Sequence, residues 1–258
     1  MESISKHDLS YLADQFKLAR PIMFTGAGFS TGVKNISGTS VPSYSEVRQK
    51  LWDMCFPGET LNAESSVQDL YDMALVQRKP ILAEYLRNNL TVDSNSVFGW
   101  YKDFFELPWK KAYTLNIDDL ETSVARNFNL SRNVKSISGT SDKAIPELNP
   151  ASPGTLSLIH LNGTTEDIPE NTTFSTTQYA SRFSKLDPWY ANLVNELLVF
   201  PVVFIGTKLN EPPLWNHLEL RKKSTGGGEY RARSFLVTKN LDPAKKAFIQ
   251  TLNLIKIK

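Results

Sequence analysis

The sequence predicts an α/β protein built on a doubly wound, mostly parallel sheet. Short apolar runs that read as strands alternate with stretches whose apolar residues recur at helical spacing, the pattern of a parallel sheet covered on both faces. Val202 to Gly206 is apolar throughout, as a strand buried on both faces must be. Residues from about 45 to 108 read as one helix after another, so a helical module is inserted between the first two strands. The whole chain, 1–258, is expected to form one domain of this kind.

Leu9, Leu12, Ala13, Phe16 and Ala19 space out a helix over residues 5–19, with Ser5 or Asp8 as its cap. Ile22 to Thr25 is a brief strand, and Gly26-Ala27-Gly28 turns the chain out of it. Residues 35–42 have loop chemistry, and Pro42-Ser43 begins a helix through Trp52. Leu61 to Leu90 is helical with an interruption at Pro80, and the aromatic-rich stretch from Val97 to Phe105 is a helix ending at Leu107-Pro108-Trp109. Lys111 to Ile117 is the second clear strand. Asp118-Asp119-Leu120-Glu121 then starts a helix with acids in its first turn, where the macrodipole favours them. Lys135 to Ser138 is a short strand, Gly139 to Gly154 a polar loop, and Ser157 to Leu161 the next strand. Glu166 to Thr173 reads as a mobile loop. Tyr179 to Phe200 reads as one helix, with Trp189, Leu193, Leu197 and Leu198 on one side. Beyond Gly206 the chain predicts a helix over Leu214 to Lys223, an exposed loop at Gly226-Gly227-Gly228, a strand over Ser234 to Thr238, a helix over Asp242 to Leu252 and a last strand over Leu254 to Ile257.

Composition narrows the function classes. Hydrophobic residues make up 41% and charged residues 22% of the chain, ordinary values for a soluble globular domain. A net charge of +2, from 29 basic and 27 acidic residues, argues against a nucleic-acid surface. Cys55 stands alone, which excludes an internal disulfide and a cysteine-rich zinc site. His7, His160 and His217 are scattered, and no metal is expected. No apolar run reaches the ~18 residues of a membrane helix, and the amino-terminal twenty residues mix charge and polarity unlike a signal peptide. A cytoplasmic location without membrane attachment is expected.

Open parallel sheets bind ligands beyond the carboxyl ends of their strands. Four such ends are small, polar or glycine-rich: Gly26-Ala27-Gly28-Phe29-Ser30, Asn116-Ile117-Asp118, His160-Leu161-Asn162-Gly163 and Gly206-Thr207-Lys208-Leu209-Asn210. Together they define a polar site along the sheet edge. The glycine pair lets backbone N–H groups approach a phosphate closely, because no Cβ intervenes. Thr31 stands where a dinucleotide fingerprint needs its third glycine, and no Gly-Lys-Ser/Thr follows, so neither that fingerprint nor a P-loop is present.

These segments resemble the sirtuin family, in order and spacing, over roughly residues 10–258. GAGFS is similar to the family's glycine turn, TLNID to its T-x-N-x-D strand end, HLNG to its histidine-glycine segment, and GTKLN to its G-T/S-x-L/N segment. VPSYSEV, LPW before YTLNIDDLE, and FIGTKLNEPPLW resemble the bacterial defence-associated subset. The resemblance implies a Rossmann-like fold that binds NAD with the glycine turn at the pyrophosphate. It further implies hydrolysis of NAD to ADP-ribose and nicotinamide by a gated anti-phage effector of the bacterial cytoplasm. Such an effector is expected to work as a homo-oligomer, or with a sensor domain or partner protein that responds to phage. Trp100, Tyr101, Phe104 and Phe105, and the Trp215 segment, are either its contact surfaces or plain core.

Two departures qualify the resemblance. The four zinc cysteines of the deacetylase sirtuins are missing, which weighs against a protein deacylase. The family's catalytic histidine directly precedes the glycine, and here Asn162 holds that place. His160 shares a strand face with Asn162, so it either supplies the base from one step back or is structural. A catalytically silent module that senses NAD or ADP-ribose therefore stays open.

In the hydrolase reading the hard step is an oxocarbenium-like ribose, which fixed dipoles stabilise. Asn116 holds a ribose hydroxyl or the attacking water, and His160 takes a proton. Asp118 fixes the nicotinamide amide, caps the following helix, or does both. Gly26, Ala27, Gly28 and Ser30 hold phosphates, Asn162 and Gly206 line the dinucleotide site, and Thr207 and Asn210 reach the adenine-side ribose. Lys208 and Arg48 read as solvated charges.

Overall fold

The computed structural model describes residues 4–140, 154–183, 187–209, 214–219, 232–238 and 254–257. Among these residues seven strands form one all-parallel sheet: β1 Ile22–Thr25, β2 Lys111–Thr114, β3 Asn133–Ser138, β4 Thr155–His160, β5 Val202–Ile205, β6 Ser234–Val237 and β7 Leu254–Ile257. Their order is β3-β4-β2-β1-β5-β6-β7, with Ile22 of β1 in register with Lys111 on one side and Val202 on the other. The chain leaves β1 toward β2 and returns from β4 to β5 on the far side of β1. Connections therefore diverge between β1 and β5, the switch point at which such sheets open a crevice.

Local chemistry explains the helices and corrects several expected boundaries. Helix α1, Lys6–Lys17, is capped by Ser5, whose Oγ accepts the Asp8 N–H at 3.0 Å. Ser43 and Glu46 form a reciprocal capping box at the start of α2, Tyr44–Cys55. The stretch expected as helix from Leu61 is shorter and broken elsewhere than at Pro80. Ser66 caps α3, Val67–Gln77, and the break falls at Arg78. Pro80 lies in the first turn of α4, Lys79–Leu90, where a missing N–H costs nothing. Helix α5, Trp100–Glu106, begins later than Val97. Strand β2 stops at Thr114 instead of Ile117, because the Asn116 N–H turns onto Thr114 Oγ1 at 3.1 Å. Helix α6, Leu120–Asn127, follows.

The single helix expected from Tyr179 to Phe200 is two, α7 Thr176–Phe183 and α8 Pro188–Val199. Asp187 accepts the N–H groups of Trp189 and Tyr190, and Pro188 opens α8. Residues 166–173, expected to be mobile, are tied down. Tyr71 donates to the Pro169 carbonyl and Arg87 to the Ile168 carbonyl, both at 2.9 Å, and Ile168, Thr172 and Thr173 are buried. Residues 214–219 are helical. The rest of that expected helix, most of the loop expected over 139–154, the three consecutive glycines and the helix expected over 242–252 lie outside the described residues.

Alternation along the central strands sends side chains to two cores. Ile22, Phe24 and Phe204 pack with Trp189, Tyr190 and Leu193 of α8 on one face. Met23 and Val203 pack with Phe29, Tyr101, Phe105, Leu120 and Val124 on the other. A third cluster belongs to α2, α3 and α4, joined by Ile117 and Ile168 from the loops that follow β2 and β4. The helical module thus has its own core and grips the two loops that carry the polar strand ends.

Candidate active site at the carboxyl edge of the sheet

Gly206 stands where the ends of β1 and β5 meet. Its φ is +67°, and a Cβ there would fall 2.2 Å from the Phe29 nitrogen. Gly28 donates its N–H to the Gly206 carbonyl at 2.9 Å, and Gly26 donates to Ile205 at 3.0 Å. A Cβ on Gly26 would lie 2.9 Å from the Gly206 oxygen, and one on Gly28 2.9 Å from the Gly206 Cα. Bare backbone is therefore required where the two strand ends touch. Ala27 and Gly28 face outward, while Phe29 and Ser30 are buried. Thr207 is buried and its Oγ1 accepts the Leu209 N–H at 2.9 Å. Asn210 lies outside the described residues.

Ser30 links this turn to the end of β2. Its hydroxyl donates to Asp118 Oδ2 at 2.9 Å and accepts from Asn116 Nδ2 at 3.0 Å. Asp118 Oδ1 also accepts the Leu120 N–H at 3.3 Å, but the cap expected at Asp118 falls one residue later: the N-cap of the following helix is Asp119, whose side chain makes no capping bond. Burial pushes the Asp118 carboxyl up to about 6, and Glu121 adds to the rise, against the Ser30 hydrogen bond and the charge of His160.

His160 is 1% exposed at the end of β4. Its Nδ1 lies 2.8 Å from the Asn116 carbonyl oxygen and its Nε2 3.0 Å from Glu121 Oε1. Ser136 donates to the same carboxylate oxygen. Burial pulls the His160 pKa down, but the Glu121 charge, the hydrogen bonds and Asp118 outweigh it and leave it raised. Glu121 shows the mirror image: burial raises its pKa, and His160 with the hydrogen bonds brings it below the usual value. Both ring nitrogens are thus engaged inside the protein. Sequence reasoning missed Glu121, reading it only as a first-turn acid. The available signal was a strand-end histidine, which needs a partner if buried.

Asn162, 7% exposed, donates Nδ2 to the Leu115 carbonyl at 3.0 Å. Its Oδ1 is buried without a protein partner. Thr173 donates its N–H to the Asn162 carbonyl, and Arg182 bridges Leu161, Thr173 and Asp187. The structure thus joins Ser30, Asn116, Asp118 and His160 in one network. Asn162 hangs on the same β2 loop, and Gly26, Gly28, Gly206 and Thr207 form the adjoining joint. Such a set of amides, a hydroxyl and a buried carboxyl can hold a hydroxylated ligand and stabilise developing charge. Among the described residues no group of three or more His, Cys, Asp and Glu side chains could hold a metal.

A single parallel sheet flanked by helices, with polar groups gathered at its switch point, defines a Rossmann-like domain. The chain belongs to the SIR2-like domain family, whose model matches residues 110–257, more than half of the sequence. The matched span contains Asn116, Asp118, Glu121, His160 and Asn162, and the glycine turn precedes it. Membership implies NAD binding or use. A comparison with curated proteins finds no match. No helix among the described residues is long and apolar enough to cross a membrane.

Proposed function

We propose that the chain binds NAD in the β1–β5 crevice and hydrolyses its nicotinamide–ribosyl bond, releasing nicotinamide and ADP-ribose. The observation that carries this reading is the Asn116 amide beyond the carboxyl end of β2, held by Ser30, whose hydroxyl is in turn anchored on Asp118. The orphaned Asn162 Oδ1 fits a ligand that brings hydroxyl or amide donors. The outward-facing Ala27-Gly28 turn fits the pyrophosphate, with Gly206 and Thr207 beside it. Nicotinamide leaves as a neutral molecule, taking the bonding electron pair, and water adds to the oxocarbenium-like carbon. The water's proton passes to Ser30, which gives its own to Asp118. Asn116 orients that water or a ribose hydroxyl. In this reading the domain is the gated effector of an anti-phage system, held off by assembly or by a partner until triggered.

Two observations favour a second reading. Asn162 stands where the resembled family has its histidine, and both nitrogens of His160 are engaged. A silent sensor of NAD or ADP-ribose would have this arrangement. Incubating purified protein with NAD, following nicotinamide by chromatography and binding by calorimetry separates the two. Release supports the hydrolase. Binding without release supports the sensor, and neither would remove both.

A further inference from the structure

The pair formed by Glu121 and His160 has an acceptor on one side and a carboxylate on the other. The Asn116 carbonyl can only accept, so Nδ1 must carry a proton. Glu121 Oε1 already accepts the Ser136 hydroxyl and faces Nε2 at 3.0 Å. An ionised carboxylate there is satisfied only by a second N–H, which makes the ring an imidazolium. The charged groups facing the ring are Glu121 from α6 and Asp118 from the loop after β2, both acidic. Asn116 comes from the loop after β2 and Glu121 from α6, with Ser136 of β3 behind Glu121, and all converge on the end of β4.

We propose that Glu121 and His160 form a buried carboxylate–imidazolium pair that positions Asn116 by holding its carbonyl, so that His160 acts as a positioning residue and not as the base. The pair sets the plane of the Asn116 peptide. That plane directs the side-chain amide onto Ser30 and so toward the ligand. Asn116 takes its position from the buried pair before any ligand arrives. The functional part of this inference rests on the hydrolase reading.

The test combines ¹⁵N NMR of the ring nitrogens with kinetics. Three histidines make assignment by substitution direct. In the wild type both His160 nitrogens are expected to be protonated from pH 6 to 8, and in Glu121→Gln the ring is expected to become neutral within that range. Removing His160 alone strands a buried carboxylate and endangers folding. The double variant Glu121→Met/His160→Leu therefore serves as the working probe. It is expected to shift the Asn116 side-chain amide signals and to lower kcat by about 100-fold, with KM for NAD within about 3-fold. A neutral His160 nitrogen in the active wild type overturns the proposal, as do unchanged Asn116 signals or unchanged kcat in the folded double variant. A wild type that releases no nicotinamide removes the hydrolase reading, while the ring and Asn116 signals still decide the pair.

Discussion

Asn116 receives one hydrogen bond at its carbonyl and gives one from its amide, and each partner is itself anchored. Replacing Asn116 by Ala removes the side-chain contacts without adding bulk. Turnover of NAD is expected to fall by about 100-fold or more with the circular dichroism spectrum and Tm nearly unchanged. Near-normal nicotinamide release would take Asn116 out of the mechanism. Asp118 supplies a pH signature. Folded, its carboxyl keeps a proton up to about pH 6, whereas the unfolded chain releases it near 3.8. Between those values the folded state binds more protons, so stability falls as pH rises from about 4 to 6 and levels off above. Urea midpoints across that range should show this decline, and Asp118→Asn should flatten it. That Asn116 and Asp118 stand just beyond β2 was legible from the end of an apolar run. The contacts of His160 and Glu121 were not, because the ring's two partners lie 44 and 39 residues away in sequence.

The joint between the β1 turn and the end of β5 is an element-scale device. A glycine at 206 is required by its positive φ and by the Phe29 nitrogen in the place of any Cβ. Gly206→Ala is expected to destabilise the protein by about 1–3 kcal/mol from backbone strain alone, with the steric clash adding to it. Differential scanning calorimetry reads the loss, and a Tm within a degree of wild type would contradict it. The glycine turn was legible in the sequence as a close approach. What approaches it in the structure is the Gly206 backbone, and a motif alone does not distinguish backbone from phosphate. Strand identity was legible wherever an apolar run met a glycine or a polar end. Boundaries failed where one side chain decided them: Thr114 ended β2 early, Asp187 with Pro188 split one helix into two, and Pro80 started a turn instead of stopping one.

On the scale of the whole molecule, the α2–α4 core reaches the site through Ile117 and Ile168. A partner bearing on this module would press on the loops after β2 and β4, which carry Asn116 and Asn162. In the aromatic helix α5, Tyr101 and Phe105 are core, whereas Trp100 is 49% exposed. An unrestrained NAD hydrolase would drain its own cell, so the hydrolase reading requires a gate. Light scattering combined with nicotinamide release across protein concentration is expected to show association and concentration-dependent specific activity. A monomer of constant high activity would remove the gate.

The pairing of β1 with both β2 and β5 has a consequence for synthesis on the ribosome. Ile22, Met23 and Phe24 are made early, yet their neighbours Val202, Val203 and Phe204 are made late. At ordinary elongation rates the gap is on the order of ten seconds or more. During that time the central strand of the finished sheet is a half-paired apolar segment, a natural client for a chaperone. Nascent chains stalled before Val202 clears the exit tunnel should be cut by protease near β1, and chains released in full should resist. Protection of the shorter chains would show that the amino-terminal half folds without waiting.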